Sequence, residues 1–242
     1  MIAKGLYKSF GPARVLHNLS LSVEPGKTLS VAGRSGCGKT TLLRILAGLE
    51  SADAGTVMFD GADLGGVAPE HRNMVYLNQE PLLFPYMSVW DNIAFGLKIR
   101  RLPASEIAAR VEELLQRLGL SELGKRMPEQ LSGGQRQRVA FGRALAIRPS
   151  ALLLDEPFGS LDPDTRSEMQ AFFLELKSHF HFTSVFVTHD LKEAIRMGDS
   201  LARMENGSLR QYHNLREMVS DENSGLKNEI AFWRKLISDH ES

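Results

Sequence analysis

The segment Gly33–Thr40 constrains the fold of this chain more than any other part of its sequence. It reads Gly-Arg-Ser-Gly-Cys-Gly-Lys-Thr, which fits the pattern G-x-x-x-x-G-K-[ST], and it lies between an apolar run and a run of helical pattern. Glycines let the backbone fold around an anion, the amides of the helix start point at it, and Lys39 neutralises its charge. The segment therefore predicts a phosphate-binding loop, and the alternative is a glycine-rich turn that carries Lys-Thr by chance. The candidate phosphate-contacting residues are Gly33, Arg34, Ser35, Gly36, Cys37, Gly38, Lys39, Thr40 and Thr41.

Two adjacent carboxylates follow another apolar run, at Asp155 and Glu156. A magnesium-dependent phosphate site needs a carboxylate near the metal and a group that orients the attacking water. Asp155 and Thr40 are therefore predicted metal ligands, and Glu156 is predicted to act as general base or to polarise the water. The alternative is that both carboxylates merely end a buried strand and begin a solvated loop. The Asn-Lys-x-Asp element that specifies guanine is absent from the sequence, which favours adenine or a loosely chosen nucleotide.

The composition fits one folded α/β domain with an insertion. The 242 residues are 43% hydrophobic and 24% charged, as in ordinary globular proteins. Short apolar runs at 28–33, 151–155 and 183–188 predict buried strands of a parallel sheet. We expect a domain over residues 1–212, with its core at 1–78 and 147–212 and a helical insertion at 79–146. Residues 213–242 are expected to form a short helical tail.

Local patterns predict the elements around this sheet. The strand patterns of Ile2–Phe10 and 15–23, joined by Gly-Pro, predict an antiparallel β-layer at the start of the chain. Asn206-Gly207 between alternating residues predicts a hairpin. In the insertion, one apolar helical face is expected after a cap at Ser105. The residues of that face are Ile107, Val111, Leu114, Leu115 and Leu118. The tail is predicted to dock through Leu226, Ile230, Trp233 and Ile237.

Charge, hydropathy and cysteine content narrow the classes of partner and compartment. Lys+Arg 29 balance Asp+Glu 29, so the net charge alone does not indicate a strongly basic surface, and nucleic acid is weakened as the default partner. The apolar runs are far shorter than the roughly 20 residues that a membrane-spanning helix needs. The N-terminus lacks the apolar centre of a secretory signal, and the single Cys37 cannot form an intrachain disulfide. These observations favour a reducing cytosol.

The segment Leu131-Ser132-Gly133-Gly134-Gln135 predicts a second anion-binding helix end. Ser132 precedes a helical run and is a suitable N-cap, which leaves backbone amides pointing outward. The chain has two helix ends that could bind phosphate, which suggests that the second binds the nucleotide of a partner subunit. The alternative is an ordinary structural cap.

Placed between Lys39 and Asp155, the segment 131–135 resembles the family motif of ABC-type ATPases, and the resemblance covers Ile2 to about Gln211. The resemblance implies a P-loop NTPase core with an N-terminal antiparallel β-layer and an inserted α-helical subdomain. It also implies ATP and Mg²⁺ as ligands, bound at the interface of a head-to-tail homodimer or of a heterodimer with a related subunit. ATP would lie between one subunit's phosphate loop and the other's Ser132, Gly133, Gly134 and Gln135.

The same resemblance implies roles for four further residues. Gln79 would sense magnesium and the attacking water, and His189, after the strand ending at Thr188, would contact the terminal phosphate. Asp162, in Ser-Leu-Asp, would lie in the loop that crosses the dimer interface. Tyr7 stands where the family has an aromatic ring against adenine. Taken singly, each has a plain alternative: Gln79 as a turn residue, His189 as a cap or a surface residue, and Tyr7 as ordinary packing.

The function implied by the resemblance is ATP hydrolysis that powers solute transport, most like the ATPase subunits of bacterial importers. Separate integral membrane permease subunits would dock near Glu80–Trp90, an aromatic and Met-rich segment whose alternative is core packing. An extracytoplasmic solute-binding protein would complete the importer. The chain would act at the cytoplasmic face of the inner membrane, and no nucleic acid is expected.

The sequence also allows alternatives to an importer subunit. One is an exporter subunit, and another is a soluble ABC-type ATPase that remodels nucleic acid or protein. The second usually carries coiled-coil insertions, tandem halves or basic extensions, which this sequence does not show. About thirty residues after the core cannot form the β-rich regulatory domain of many similar importer subunits, so regulation through such a domain is not expected. The transported solute is left open, because its selection would reside in other subunits.

Overall fold

The computed structural model describes residues 1–221 and 224–226. In these residues two sheets and seven α-helices form the fold. In chain order the strands are β1 (Ile2–Phe10), β2 (Ala13–Ser22), β3 (Thr28–Gly33), β4 (Ala54–Phe59), β5 (Ala62–Asp63), β6 (Met74–Leu77), β7 (Ala151–Asp155), β8 (Thr183–Thr188), β9 (Ser200–Glu205) and β10 (Ser208–Tyr212). The helices are α1 (Lys39–Ala47), α2 (Val89–Ile99), α3 (Ala104–Arg117), α4 (Gly133–Ala146), α5 (Pro163–Phe180), α6 (Leu191–Met197) and α7 (Leu215–Ser220).

The main sheet has six strands in the order β10-β9-β3-β8-β7-β6. All its neighbours pair in parallel except β9 and β10, which form the hairpin predicted at Asn206 and Gly207. Both of these turn residues have positive φ, as a type I′ hairpin turn requires. Strands β3, β7 and β8 have the predicted bounds, and nearly all of their residues are buried. The prediction of a buried parallel sheet is confirmed.

The predicted antiparallel layer is also confirmed. It is a four-stranded sheet in the order β2-β1-β4-β5. Its inward side chains share an apolar cluster with α1 and with β3, β7 and β8, including Leu6, Leu42, Val31 and Leu153. Arg72 adds polar links between α1 and the segment after β5, because its guanidinium donates to the carbonyls of Ile45, Leu46, Leu64 and Val67. Helix α1, which begins at the phosphate loop, is therefore held between the two sheets.

The helices α2, α3 and α4 all lie within the predicted insertion, whose boundaries stay a prediction. They contact one another, and the whole predicted apolar face of α3 is buried against them. The prediction of Ser105 as the cap of this helix was wrong. Pro103 has the extended backbone of the N-cap position (φ −56°, ψ 143°), so the helix starts at Ala104 and Ser105 falls inside the first turn.

The end of the described chain folds back onto the hairpin β9–β10. Leu226 is buried with Leu201, Tyr212 and Met218, which agrees with its predicted docking. The other predicted docking residues, Ile230, Trp233 and Ile237, lie outside the described residues. Among the residues that are described, no helix combines the length and the apolar character needed to cross a bilayer.

Candidate functional site

The loop between β3 and α1 requires glycine at specific positions. A Cβ on Gly33 would lie 2.5 Å from the carbonyl oxygen of Met204, so the neighbouring strand leaves no room for a side chain. Gly36 and Gly38 have φ of 79° and 108°, conformations that favour glycine. Gly38 occupies the N-cap position of α1 and places no capping side chain over the helix start. The helix N-terminus thus opens onto the loop, as an anion-binding helix end must.

The ammonium of Lys39 is held across this loop. Its Nζ donates to the carbonyl oxygens of Gly33 at 2.8 Å and Arg34 at 3.2 Å. It also lies 3.4 Å from Oε1 of Glu156. Lys39 is only 5% exposed, so its charge is shielded from bulk solvent and acts strongly on whatever enters the loop.

Parallel pairing brings the predicted carboxylates to the same edge. Strand β7 ends at Asp155 beside β8, and β8 in turn pairs with β3. Glu156 has a positive φ of 46°, and its amide donates to Val187 of β8 at 3.0 Å. Its Oε2 lies 2.7 Å from Nδ1 of His189, which follows β8. The Glu156 carboxylate therefore contacts Lys39 through one oxygen and His189 through the other.

The hydroxyl of Tyr76 donates to Oδ2 of Asp155 at 2.6 Å. Burial, followed by this bond to the carboxylate, raises the pKa of Tyr76 well above its ordinary value, and the Arg44 guanidinium opposes the rise. Sequence reasoning missed both Tyr76 and Arg44. Nothing in the strand pattern of β6 distinguishes a tyrosine that packs from one that reaches a carboxylate on the next strand.

One open cleft of about 610 Å³ is lined by Lys39, Asp155 and Glu156, whereas His189 does not line it. The cleft brings together the predicted residues Lys39, Thr40, Gln79, Asp155 and Glu156. Hydroxyl, amide and carboxylate oxygens are the donors that Mg²⁺ accepts beside phosphate, so the residues present fit the predicted metal. The residues that line the cleft are Phe10, Val15, Ser35, Gly36, Gly38, Lys39, Thr40, Thr41, Arg44, Tyr76, Asn78, Gln79, Glu80, Asp155 and Glu156.

Tyr7, the predicted adenine-facing residue, does not line this cleft, whereas Phe10 of the same strand does. Tyr7 and Phe10 are 44% and 48% exposed, so both rings are accessible. Lys8 Nζ lies 4.9 Å from the Phe10 ring centroid. The pairing of β1 with β2 shifts register around Lys8, which breaks the two-residue alternation of a strand. The alternation of β1 alone therefore does not show which of its aromatic residues faces the cleft.

The second predicted anion site lies apart from this cleft. Ser132 caps α4 by accepting from the amide of Gln135 at 3.2 Å, and Oε1 of Gln135 accepts from the Ser132 amide at 2.9 Å. Asp162 caps α5 by accepting from the Thr165 amide at 3.0 Å, and this bond lowers the pKa of Asp162. A Cβ on Gly134 would lie 2.9 Å from Thr165 Cγ2, so the two helix starts are adjacent. Neither Ser132, Gly133, Gly134, Gln135 nor Asp162 lines the cleft.

The segment Glu80–Trp90 carries exposed apolar side chains on a well-braced backbone. Tyr86 is 93% exposed, and Leu82 is also largely exposed. The buried side chain of Asn92 bonds to backbone groups of Phe84, Met87 and Ser88. The Arg143 guanidinium donates to the carbonyl of Leu82 at 2.6 Å and lies 5.0 Å from the Phe84 ring centroid. These contacts therefore hold the backbone of the segment in place, while the side chains of Leu82 and Tyr86 remain exposed.

A phosphate loop on a parallel sheet, a paired Asp-Glu strand end, an antiparallel layer and an inserted group of helices define a P-loop NTPase fold. Residues 16–159 match the family described as ABC transporter. The chain belongs to the ABC transporter family.

Three bacterial relatives named sulfate/thiosulfate import ATP-binding protein CysA are similar to this chain. The protein of Acinetobacter baylyi is 47% identical over 219 residues, which is 89% of this chain and 62% of the relative. The Synechocystis protein is 45% identical over 218 residues, with 90% and 61% covered. The Pseudomonas syringae pv. tomato protein is 42% identical over 265 residues, with 98% and 81% covered. The chain spans about three fifths of the length of the first two relatives.

Proposed function

We propose that this chain is an ATP-hydrolysing subunit that powers solute import through separate permease subunits. The observation that carries the proposal is the convergence of Lys39, Thr40, Asp155 and Glu156 on one cleft beside an open helix N-terminus. That arrangement combines a cationic group and backbone amides for phosphate with oxygen donors for a metal and a carboxylate for water. Membership of the ABC transporter family and the similarity to import ATP-binding proteins support the transport part of the proposal.

The roles of the chain's residues in hydrolysis follow from their contacts. Lys39 and the amides after Gly36 bind the phosphates. Glu156 orients the attacking water and accepts its proton, and His189 holds the other side of the Glu156 carboxylate through its 2.7 Å contact. Magnesium, held by Thr40 and Asp155 with Gln79 nearby, would supply positive charge that stabilises the phosphate oxygens. When phosphate attracts Lys39, its 3.4 Å contact with Glu156 weakens and that carboxylate oxygen becomes free to face water.

The separate position of Ser132, Gly133, Gly134 and Gln135 supports a dimeric site. These residues form a capped helix start that does not face the cleft of their own chain. In a head-to-tail dimer, either a homodimer or a heterodimer, they would cover the phosphates bound by the other subunit, and Asp162 would lie at the interface. Nucleotide binding would then favour the closed dimer, and hydrolysis would favour opening.

Substituting Phe10 with Ala should weaken ATP binding roughly tenfold, because one aromatic ring stacked on a base contributes about 1–3 kcal/mol. Substituting Tyr7 with Ala should change the affinity by less than about twofold, since Tyr7 does not line the cleft. Titration of both variants with a fluorescent ATP analogue measures the difference. A large loss in the Tyr7 variant alone would assign the base-stacking ring to Tyr7 instead.

The Glu156→Gln substitution should lower the steady-state rate of phosphate release by at least about 100-fold, because the side-chain amide of glutamine cannot accept a proton from the attacking water. ATP affinity should stay close to that of the unchanged chain. Glu112→Gln, on the exposed side of α3, is a matched control that should leave both values unaltered. Hydrolysis by Glu156→Gln at the normal rate would show that another group activates the water.

We propose Glu80–Trp90 as the docking surface for an integral membrane permease. Its exposed Leu82 and Tyr86 lie on a hydrogen-bonded backbone close to Gln79, which lines the cleft. A movement of the partner could therefore be transmitted through this segment to the cleft. The chain would then be a peripheral protein at the cytoplasmic face of the inner membrane, and an extracytoplasmic solute-binding protein would deliver the solute. The names of the relatives make an oxyanion such as sulfate or thiosulfate the first solute to test. No nucleic acid partner is proposed.

A tagged chain should recover a polytopic membrane protein from detergent-solubilised membranes of its host. Tyr86→Asp should reduce that recovery several-fold, because it places a charge at the centre of an apolar contact. Gln116→Asp, on the exposed side of α3, is a control that introduces the same carboxylate elsewhere on the helical insertion. Mass spectrometry of the captured proteins is the readout. Recovery of soluble or nucleic-acid-bound partners alone would contradict the importer and favour a remodelling ATPase.

A further inference from the structure

The carboxylate of Asp155 has a hydrogen-bond donor on the neighbouring strand. Strands β6 and β7 pair in parallel, with Tyr76 opposite Leu153. This register extends the Tyr76 side chain toward the end of β7, where its hydroxyl donates to Oδ2 of Asp155 at 2.6 Å. Tyr76 and Asp155 both line the cleft. The bond therefore lies inside the proposed nucleotide site.

This bond restricts the carboxylate more than packing alone would. The terminal torsion of an aspartate is soft, so its two oxygens exchange positions readily unless one of them is held. A hydroxyl at 2.6 Å forms a strong charge-assisted bond. Asp155 is only 9% exposed, so solvent is a poor substitute for this donor. With Oδ2 held by Tyr76, Oδ1 has a fixed direction.

We propose that Tyr76 is a positioning residue for the divalent cation that binds with the nucleotide. It orients Asp155 without itself contacting the metal, and it thereby raises the affinity for the cation. This inference rests on the proposed function, because it takes Asp155 to serve the metal. The role is that of an outer-shell partner, and removal of such partners typically weakens metal affinity 10–100-fold.

Tyr212 offers a matched control for the loss of a tyrosine–aspartate bond. Its hydroxyl donates to Oδ2 of Asp221 at 2.5 Å. Tyr212 is buried in the apolar cluster beside α7, and neither residue lines the cleft. Tyr212→Phe removes the same chemical bond as Tyr76→Phe but leaves the site unaltered. A general loss of stability would affect both variants, whereas a positioning role would affect only Tyr76→Phe.

The test is a titration of Mn²⁺ in the presence of ADP, followed by electron paramagnetic resonance, for the unchanged chain and four variants. The variants are Tyr76→Phe, Tyr212→Phe, Asp155→Asn and the double variant Tyr76→Phe/Asp155→Asn. ADP affinity in EDTA and the melting temperature show that each variant is folded. Tyr76→Phe should weaken Mn²⁺ binding about tenfold, while ADP affinity in EDTA stays unchanged. Tyr212→Phe should bind Mn²⁺ normally, and Tyr76→Phe should cause no further loss once Asp155 is Asn.

The outcomes separate the inference from the proposed function. If Asp155→Asn weakens Mn²⁺ binding and Tyr76→Phe does not, the positioning role of Tyr76 is wrong and the metal site stands. An equal loss in both the single and the Asp155→Asn background would also overturn the inference, because the effect would not pass through Asp155. If Asp155→Asn itself leaves Mn²⁺ binding unaltered, the proposed metal site fails, and the inference fails with it.

Discussion

The parallel pairing of β3, β7 and β8 is the constraint on which the rest of the site depends. Their carboxyl ends meet at one edge of the sheet, where the phosphate loop, Asp155 with Glu156, and His189 follow the three strands in turn. Ligands of open α/β sheets bind at this edge, because the loops diverge there and helix N-termini point outward. Residues separated by more than 100 positions thus come within ion-pair distance, as Lys39 and Glu156 do.

The strands and the chemical groups of this edge could be predicted because their signals are local. Buried strands of a parallel sheet are continuously apolar, and the loop requires glycine for steric reasons that the sequence pattern encodes. The close approach of Gly33 to Met204 shows the same requirement in three dimensions. By contrast, the start of α3 depended on the fixed backbone of Pro103, which competes with the capping tendency of Ser105.

Side chains that act across strands could not be predicted. The position of Phe10 in the cleft depends on the irregular register of β1, and the Tyr76–Asp155 bond depends on the register of β6 against β7. Neither register can be read from one strand alone. The proposed roles of Gln79, Ser132 and Asp162 came from resemblance to a family, and in the structure only Gln79 lines the cleft.

In the proposed site the cleft would cover a nucleotide from one side, and the capped helix start at Ser132 does not line that cleft. Two copies arranged head to tail would give each cleft its second wall. Sedimentation equilibrium of the Glu156→Gln variant tests this most directly, with Mg²⁺ and either ATP or ADP. We predict a dimer with ATP and a monomer with ADP, because only the terminal phosphate would connect Lys39 of one copy to Ser132 of the other. If the variant binds ATP but stays monomeric at ATP concentrations well above its dissociation constant for ATP, the shared site is contradicted.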